Sequence, residues 1–276
     1  MSEAPPLAGV IGWPIGHSLS PRLHGHWLKR YGIAGYYVPI ALAPEDFEDG
    51  LLSLSRLGFR GVNVTIPHKE AALALATEVT PRAREIGAAN TLTFRADGSI
   101  HADNTDGYGF IENLRQAARG WDAAAGPALV LGSGGSARAV IAALLAEGAP
   151  EVRVANRTVA RAEGLAGHFG ERMRVVPWDE ASDRAADAAT IVNTTPVGMA
   201  SDAVPIDLGR ANRAALVADV VYGRTATAFV AAARALGLEA VDGLGMLLHQ
   251  GVPGFETWFG RRPEVDDALR AAVVGE

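Results

Sequence analysis

The chain has 276 residues, 49% hydrophobic and 20% charged, with no cysteine and a formal net charge of −6. That length supports a sizeable core in one large or two ordinary domains, and the absence of cysteine removes disulfides, thiol nucleophiles and thiolate metal sites and fits a reducing compartment. No lysine–arginine cluster provides the basic footprint that nucleic acid or an anionic membrane requires, and MSEAPPLAGV carries neither a basic start nor an apolar h-region, so a cytoplasmic protein without a membrane partner is expected.

Strand-like runs at 8–11, 36–40 and 62–66 alternate with helical stretches at 21–31, 44–57 and after Lys69, the pattern of α/β units around a largely parallel sheet. In GVNVTIPHK, Val62, Val64 and Ile66 alternate with Asn63 and Thr65, which is the period of a strand. Pro67 has no N–H to give and stops the ladder, and 71–76 reads as helix. Lys69 is thus expected just inside a helix N-terminus, where the macrodipole disfavours a cation. Taken alone, the stretch reads as carrying a solvated surface lysine. Residues 91–94 and 99–101 flank Asp97-Gly98, a hairpin signal. GWDAAAGP at 120–127 is the clearest loop; repeating strands and helices follow from 128 to about 242, and 243–276 reads as helices that can return to the first unit.

ALVLGSGGSARAVIAALLAEGA contains the strongest motif. A short buried strand at 129–131 runs into Gly132-Ser133-Gly134-Gly135-Ser136-Ala137, and helix is expected over 137–145 with Gly148 as its stop. Gly132, Gly134 and Ala137 satisfy the G-x-G-x-x-G/A fingerprint in strand–turn–helix context. Such a turn brings backbone close enough for a pyrophosphate to lie on the helix N-terminus, with Ser133 and Ser136 as added hydroxyl donors. The next strand, at 152–155, ends in Asn156-Arg157-Thr158. About twenty residues past the glycines, NAD sites place an acid on the ribose 2′-hydroxyl, whereas an arginine accommodates a 2′-phosphate. Here the acid is absent and Arg157 stands in its place, with Arg161 one turn on, which favours NADP over NAD. The alternative is two ordinary helix-surface charges.

In GWPIGHSLSPRLHGHW, Ser20 before Pro21 reads as a helix N-cap, while Ser18 is left without that duty and makes, with Ser20, a fair acceptor site for a carboxylate or hydroxyl. His17, His24 and His26 have no further ligand at a recognisable spacing, so they read as solvated or packed histidines and no metal site is expected. Asn90 in GAANTL and Asp106 in NTDGYG read locally as turn formers.

In order, GHSLSP, GVNVTIPHK, GAANTL, NTDGYG, GSGGSAR, NRT, NTTPVGM, DVVYGRTAT and DGLGMLLHQG span residues 12 to 251, and together they resemble the shikimate dehydrogenase family. The resemblance implies an N-terminal α/β substrate domain, a Rossmann-type parallel-sheet NADP domain and C-terminal helices returning to the first, with expected bounds 1–108 plus 243–276 and 109–242. It implies reversible NADP-dependent reduction of 3-dehydroshikimate to shikimate, a step of chorismate and aromatic amino-acid biosynthesis, by a monomer or homodimer. Carried over residue by residue, Ser18 and Ser20 would hold the substrate carboxylate. Thr65, Asn90, Asp106 and Gln250 would meet ring hydroxyls, with Tyr222 also at the substrate, and Lys69 and Asp106 would form the catalytic acid–base pair. The cofactor would be held by Gly132, Ser133, Gly134, Gly135, Ser136, Asn156, Arg157, Thr158, Arg161, Val220 and Gly243, with Met246 near the nicotinamide. Ser133 and Ser136 replace the alanines commonest in this family's loop, and Val220 stands where some relatives carry methionine. The competing readings are a quinate/shikimate dehydrogenase of broader substrate or cofactor range and a non-catalytic shikimate-binding relative.

Overall fold

The apolar run LAGVIG forms β1 (Leu7–Gly12), buried from Ala8 onward, which pairs in parallel with β2 (Tyr36–Ala41) on one side and β3 (Phe59–Val64) on the other. The helices α1 (Ser20–Arg30) and α2 (Phe47–Arg56) make the long crossovers that parallel pairing requires. After β3 come α3 (Lys69–Ala74), the short β4 (Glu78–Val79) and α4 (Pro81–Ile86), whose N-cap Thr80 accepts a hydrogen bond from the Ala83 N–H. β5 (Thr91–Phe94) and β6 (Ile100–Asp103) then form the antiparallel hairpin expected around Asp97-Gly98. The sheet order is β2-β1-β3-β5-β6-β4, with β5 antiparallel to β3.

This computed structural model describes residues 4–199, 201–223 and 225–275. Its chain divides into one compact unit that runs to Thr105 and resumes at Leu247, and a second that is Asp106–Met246. The second opens with α5 (Asp106–Ala117), followed by β7 (Ala128–Leu131), α6 (Gly135–Ala146), β8 (Val152–Ala155), α7 (Val159–Phe169) and β9 (Met173–Val176). It continues through α8 (Ala181–Arg184), β10 (Thr190–Asn193), β11 (Leu216–Asp219), α9 (Ala228–Ala235) and β12 (Glu239–Val241). These strands are parallel throughout, in the order β12-β11-β10-β7-β8-β9. Strand order therefore reverses between β7 and β10, the switch point at which open α/β sheets bind ligands. β7, β10 and β11 are buried at every residue because both faces are covered: Val130 and Val192 join one apolar cluster, and Leu129, Leu131 and Ile191 another. The chain then forms α10 (Leu244–Phe259), and α11 (Asp267–Val274) packs on α1 in the first unit. Among the described residues, no helix is long and apolar enough to cross a membrane.

Several boundaries differ from the sequence expectation. β3 begins at Phe59 and ends at Val64, while Ile66 is 73% exposed in the turn before α3. The helix starts at Lys69, as expected, and ends at Ala74 instead of 76. The stretch 44–57 divides into a 3-10 turn, Pro44–Asp46, and α2.

His24 on α1 is fully packed. Its ring stacks on Tyr37 at 3.8 Å with the planes 1° apart, and neither ring nitrogen meets a hydrogen-bonding group of the protein. Burial pushes its pKa down to about 3. Among the described residues, no cluster of histidines and acids could hold a metal ion. An unfolded histidine titrates near 6.5, so the unfolded chain binds a proton that the folded chain refuses, and folded stability falls as pH drops below that value toward about 3. Between pH 7 and pH 5 the protein is expected to lose about 2 kcal/mol more stability than a His24→Phe variant, measured by urea unfolding. Equal losses would contradict this account of His24.

Candidate active site

In the first unit, polar side chains at strand and helix ends satisfy one another. Leu19 occupies the N-cap position of α1 and Ser20 is its first helical residue. The Ser18 hydroxyl accepts the Ser20 N–H at 3.3 Å. The local capping duty assigned to Ser20 thus falls to Ser18. Ser20 is buried, and the Tyr37 hydroxyl donates to Asn63 Oδ1 at 2.7 Å. Burial raises the Tyr37 pKa strongly, which keeps the phenol a donor. The Asn63 amide in turn donates to the Asn90 carbonyl and to Thr91 Oγ1, each at 3.1 Å.

Asn90 lies just before β5 and is 1% exposed. Its Nδ2 donates to Gln250 Oε1 at 2.9 Å, and its Oδ1 accepts from the Thr105 N–H at 2.8 Å and from Thr91 Oγ1 at 2.9 Å. The Thr105 hydroxyl also donates to the Gln250 carbonyl at 2.9 Å, pinning α10 to the end of the β6 segment. Lys69, half-buried at the start of α3, accepts the Ala89 N–H on its carbonyl at 2.9 Å. The half-buried Thr65 is held to β1 by its N–H on the Ile11 carbonyl at 2.9 Å. Asp106 follows Thr105 directly as the first residue of α5 and is 6% exposed.

The structure therefore joins Asn90 and Gln250, and ties them to Tyr37, Asn63, Thr91 and Thr105, which the sequence does not single out. Asn63 and Thr105 lay inside quoted motifs. The alternation at 62–66 gives Asn63 no role of its own; in the sheet it is buried at 4% exposure, and a buried amide must be paired.

In the second unit, Gly132 leaves β7 at φ +109, where a Cβ would stand 2.7 Å from Thr194 Oγ1. Gly134 occupies the N-cap position of α6 without a side chain, and a Cβ at Gly134 or Gly135 would meet open space. Ala137 is fully buried against the sheet, where only a small residue lets helix and strand approach. Ser133 and Ser136 are half-buried beside this opening. Bare backbone at the N-terminus of a 12-residue helix makes an anion cradle.

At the end of β8, Asn156 Nδ2 donates to the Thr158 carbonyl at 2.8 Å, and Thr158 is the N-cap residue of α7. Arg157 and Arg161 are exposed there, and among the described residues neither is paired with a carboxylate. Val220 and Gly243 meet backbone to backbone: a Cβ on Gly243 would lie 2.3 Å from the Val220 carbonyl oxygen. Tyr222 lies in this second unit, half-buried, and burial raises its pKa. Met246 is 8% exposed and packs in the apolar cluster that also contains Val241, with Val220 against it. The glycine opening, the helix terminus and the two free guanidiniums together fit a phosphorylated dinucleotide.

Comparison with known proteins agrees along the chain. The shikimate dehydrogenase substrate-binding domain matches residues 10–92, the shikimate/quinate 5-dehydrogenase domain residues 115–237, and the shikimate 5′-dehydrogenase C-terminal domain residues 243–273. The shikimate dehydrogenase (NADP(+)) of Paracoccus denitrificans is 58% identical over 270 residues, covering 98% of this chain and 96% of its own. The structure is similar to shikimate 5-dehydrogenase from Thermus thermophilus in complex with NADP(H) and shikimate, with a TM-score of 0.87 and 39% identity over 97% of this chain and 98% of that one. It is also similar to quinate dehydrogenase from Corynebacterium glutamicum in complex with NAD, with a TM-score of 0.91 and 31% identity over 98% and 99% of the two chains. Matched along its length in the expected order, the chain belongs to the shikimate dehydrogenase family.

Proposed function

We propose that this protein catalyses the reversible NADP-dependent interconversion of shikimate and 3-dehydroshikimate, a step of chorismate and aromatic amino-acid biosynthesis. The observation that carries the reading is the amide pair of buried Asn90 and half-buried Gln250, fixed by Thr91 and Thr105 on the unit that also holds Lys69, Ser18 and Ser20. A small carboxylate with several ring hydroxyls needs such a set: prearranged donors and acceptors for the hydroxyls, further donors for the carboxylate, and a titratable group for the reacting proton. Ser18 and Ser20 serve the carboxylate. Thr65, Asn90 and Gln250 serve the hydroxyls, joined by Asp106 and Tyr222.

Oxidising the alcohol removes a hydride from the carbinol carbon and a proton from its oxygen; bound NADP supplies the hydride acceptor, or the donor in the reverse direction. The remaining work falls to the chain. Lys69, as a neutral amine, takes the hydroxyl proton during oxidation, and as an ammonium it stabilises the developing alkoxide and returns that proton during reduction. Asp106 completes the acid–base pair. Gly132 through Ser136 receive the pyrophosphate, while Asn156, Thr158, Arg157 and Arg161 receive the ribose 2′-phosphate. Val220 and Gly243 complete the cofactor site, and Met246 packs near the nicotinamide.

Lys69→Ala is expected to lower kcat for NADP⁺-dependent shikimate oxidation by roughly 10²- to 10⁴-fold, while shikimate affinity by calorimetry changes only a few-fold. Unchanged kcat would remove Lys69 from the mechanism. Arg157→Ala is expected to raise KM for NADP⁺ by roughly 10- to 100-fold through loss of a charge-assisted contact, with little change for NAD⁺. Equal effects on both cofactors would assign the 2′-phosphate to another group.

A further inference from the structure

One buried carboxylate has no part in the proposed chemistry. Asp219, the last residue of β11, is 2% exposed and accepts three hydrogen bonds. Its Oδ1 accepts from Asn193 Nδ2 at 2.9 Å and from the Val221 N–H at 3.0 Å, and its Oδ2 accepts from the Thr227 hydroxyl at 2.6 Å. Each donor comes from a different segment beyond the carboxyl ends of the central strands. Asn193 ends β10, and its Oδ1 accepts from both the N–H and the hydroxyl of Thr195, at 3.0 and 2.7 Å. The neighbouring Thr194 hydroxyl donates to the Leu131 carbonyl at 2.6 Å, immediately before the glycine turn. Thr227 is the N-cap residue of α9 and accepts the Val230 N–H. The Val221 carbonyl accepts the Gly243 N–H at 3.3 Å.

Residues 193–197 at the end of β10, residues 220–222 after β11 and the start of α9 at Thr227 are thus linked through one side chain and its partners. Three donors converge on two oxygens, so the site requires a group that only accepts. An asparagine would direct an NH₂ at one or more of those donors. Burial raises the Asp219 pKa, and the three donors oppose the rise.

We propose that Asp219 is a positioning residue for hydride transfer: by tying Asn193, Val221 and Thr227 together it fixes the backbone of 220–222 and 194–197, and with them Val220, Gly243 and Tyr222, against bound NADP and substrate. The proposal rests on the functional reading above and assigns Asp219 no contact with either ligand. Phosphate recognition lies at the glycine turn and at Arg157, so loss of the tie should spare cofactor affinity and impair the approach of the reacting carbons, where a displacement near 1 Å costs on the order of 10² in rate.

The test compares the full-length protein with Asp219→Asn and, as a milder cut that keeps the carboxylate, Thr227→Val; Thr227→Ser is the rescue control. Amide hydrogen exchange over 193–199 and 216–223 is expected to accelerate in Asp219→Asn and Thr227→Val and to return to wild-type rates in Thr227→Ser. NADP⁺ affinity by calorimetry should change less than about threefold while kcat for shikimate falls about tenfold or more. The kinetic isotope effect from deuterium at the carbinol carbon should rise as hydride transfer becomes rate-limiting. Faster exchange with unchanged kcat and isotope effect would make Asp219 merely structural and overturn the proposal, as would unchanged exchange. Wild-type protein that fails to reduce NADP⁺ with shikimate would overturn the functional reading instead, and the exchange comparison would still decide whether Asp219 ties these segments.

Discussion

The site depends on the cost of burying a polar side chain in a strand that is covered on both faces. A buried donor or acceptor left unpaired costs about 1–3 kcal/mol, more than a typical hydrogen bond contributes when made. Asn63 in β3 and Asn193 at the end of β10 stand under this constraint, at 4% and 0% exposure. Each amide offers donors and an acceptor at once, and each spends them on neighbouring segments: Asn63 on Tyr37, Thr91 and the Asn90 backbone, Asn193 on Asp219, Thr195 and the Val197 carbonyl. The same device recurs in the two units. It converts a burial penalty into fixed loop geometry at strand ends.

Lys69 shows the opposite tendency, a residue that violates a local rule. A cation in the first turn of a helix opposes the macrodipole by roughly 0.3–1 kcal/mol, and Glu70 beside it partly offsets that. Such local conflicts are expected where function fixes the residue. The tie between the Lys69 carbonyl and Ala89 places this helix start beside the segment that carries Asn90, so strand β5 and helix α3 are set by one backbone contact.

What could be read in advance follows from the range of the interactions involved. The glycine turn was legible because strand, turn and helix are adjacent in the chain and each glycine answers a local need: positive φ at Gly132, bare backbone at Gly134 and Gly135. The missing acid and the presence of Arg157 after β8 were equally local. The hairpin at Asp97-Gly98 was fixed by two turn residues. The Asn90–Gln250 bond joins residues 160 apart, and Tyr37 on β2 reaches Asn63 on β3 across the intervening β1, a proximity that only the completed sheet creates. Ser20 before Pro21 looks complete as a local cap, whereas Leu19 takes the N-cap position and Ser20 is the first helical residue. Asp219 sat inside a quoted motif, but nothing within a few residues announces that three donors will converge on it. Recognition of the whole ordered set of motifs supplied roles that local chemistry alone left open for Lys69 and Asp106.

The most direct test of the account is kcat/KM for shikimate and for quinate, each crossed with NADP⁺ and NAD⁺, followed by absorbance of the reduced cofactor. Turnover concentrated in the shikimate–NADP⁺ combination is the predicted result. Comparable rates with quinate or with NAD⁺ would contradict the assignment to a shikimate- and NADP-selective enzyme, and absence of turnover in every combination would contradict the chemistry assigned to Lys69 and Asp106.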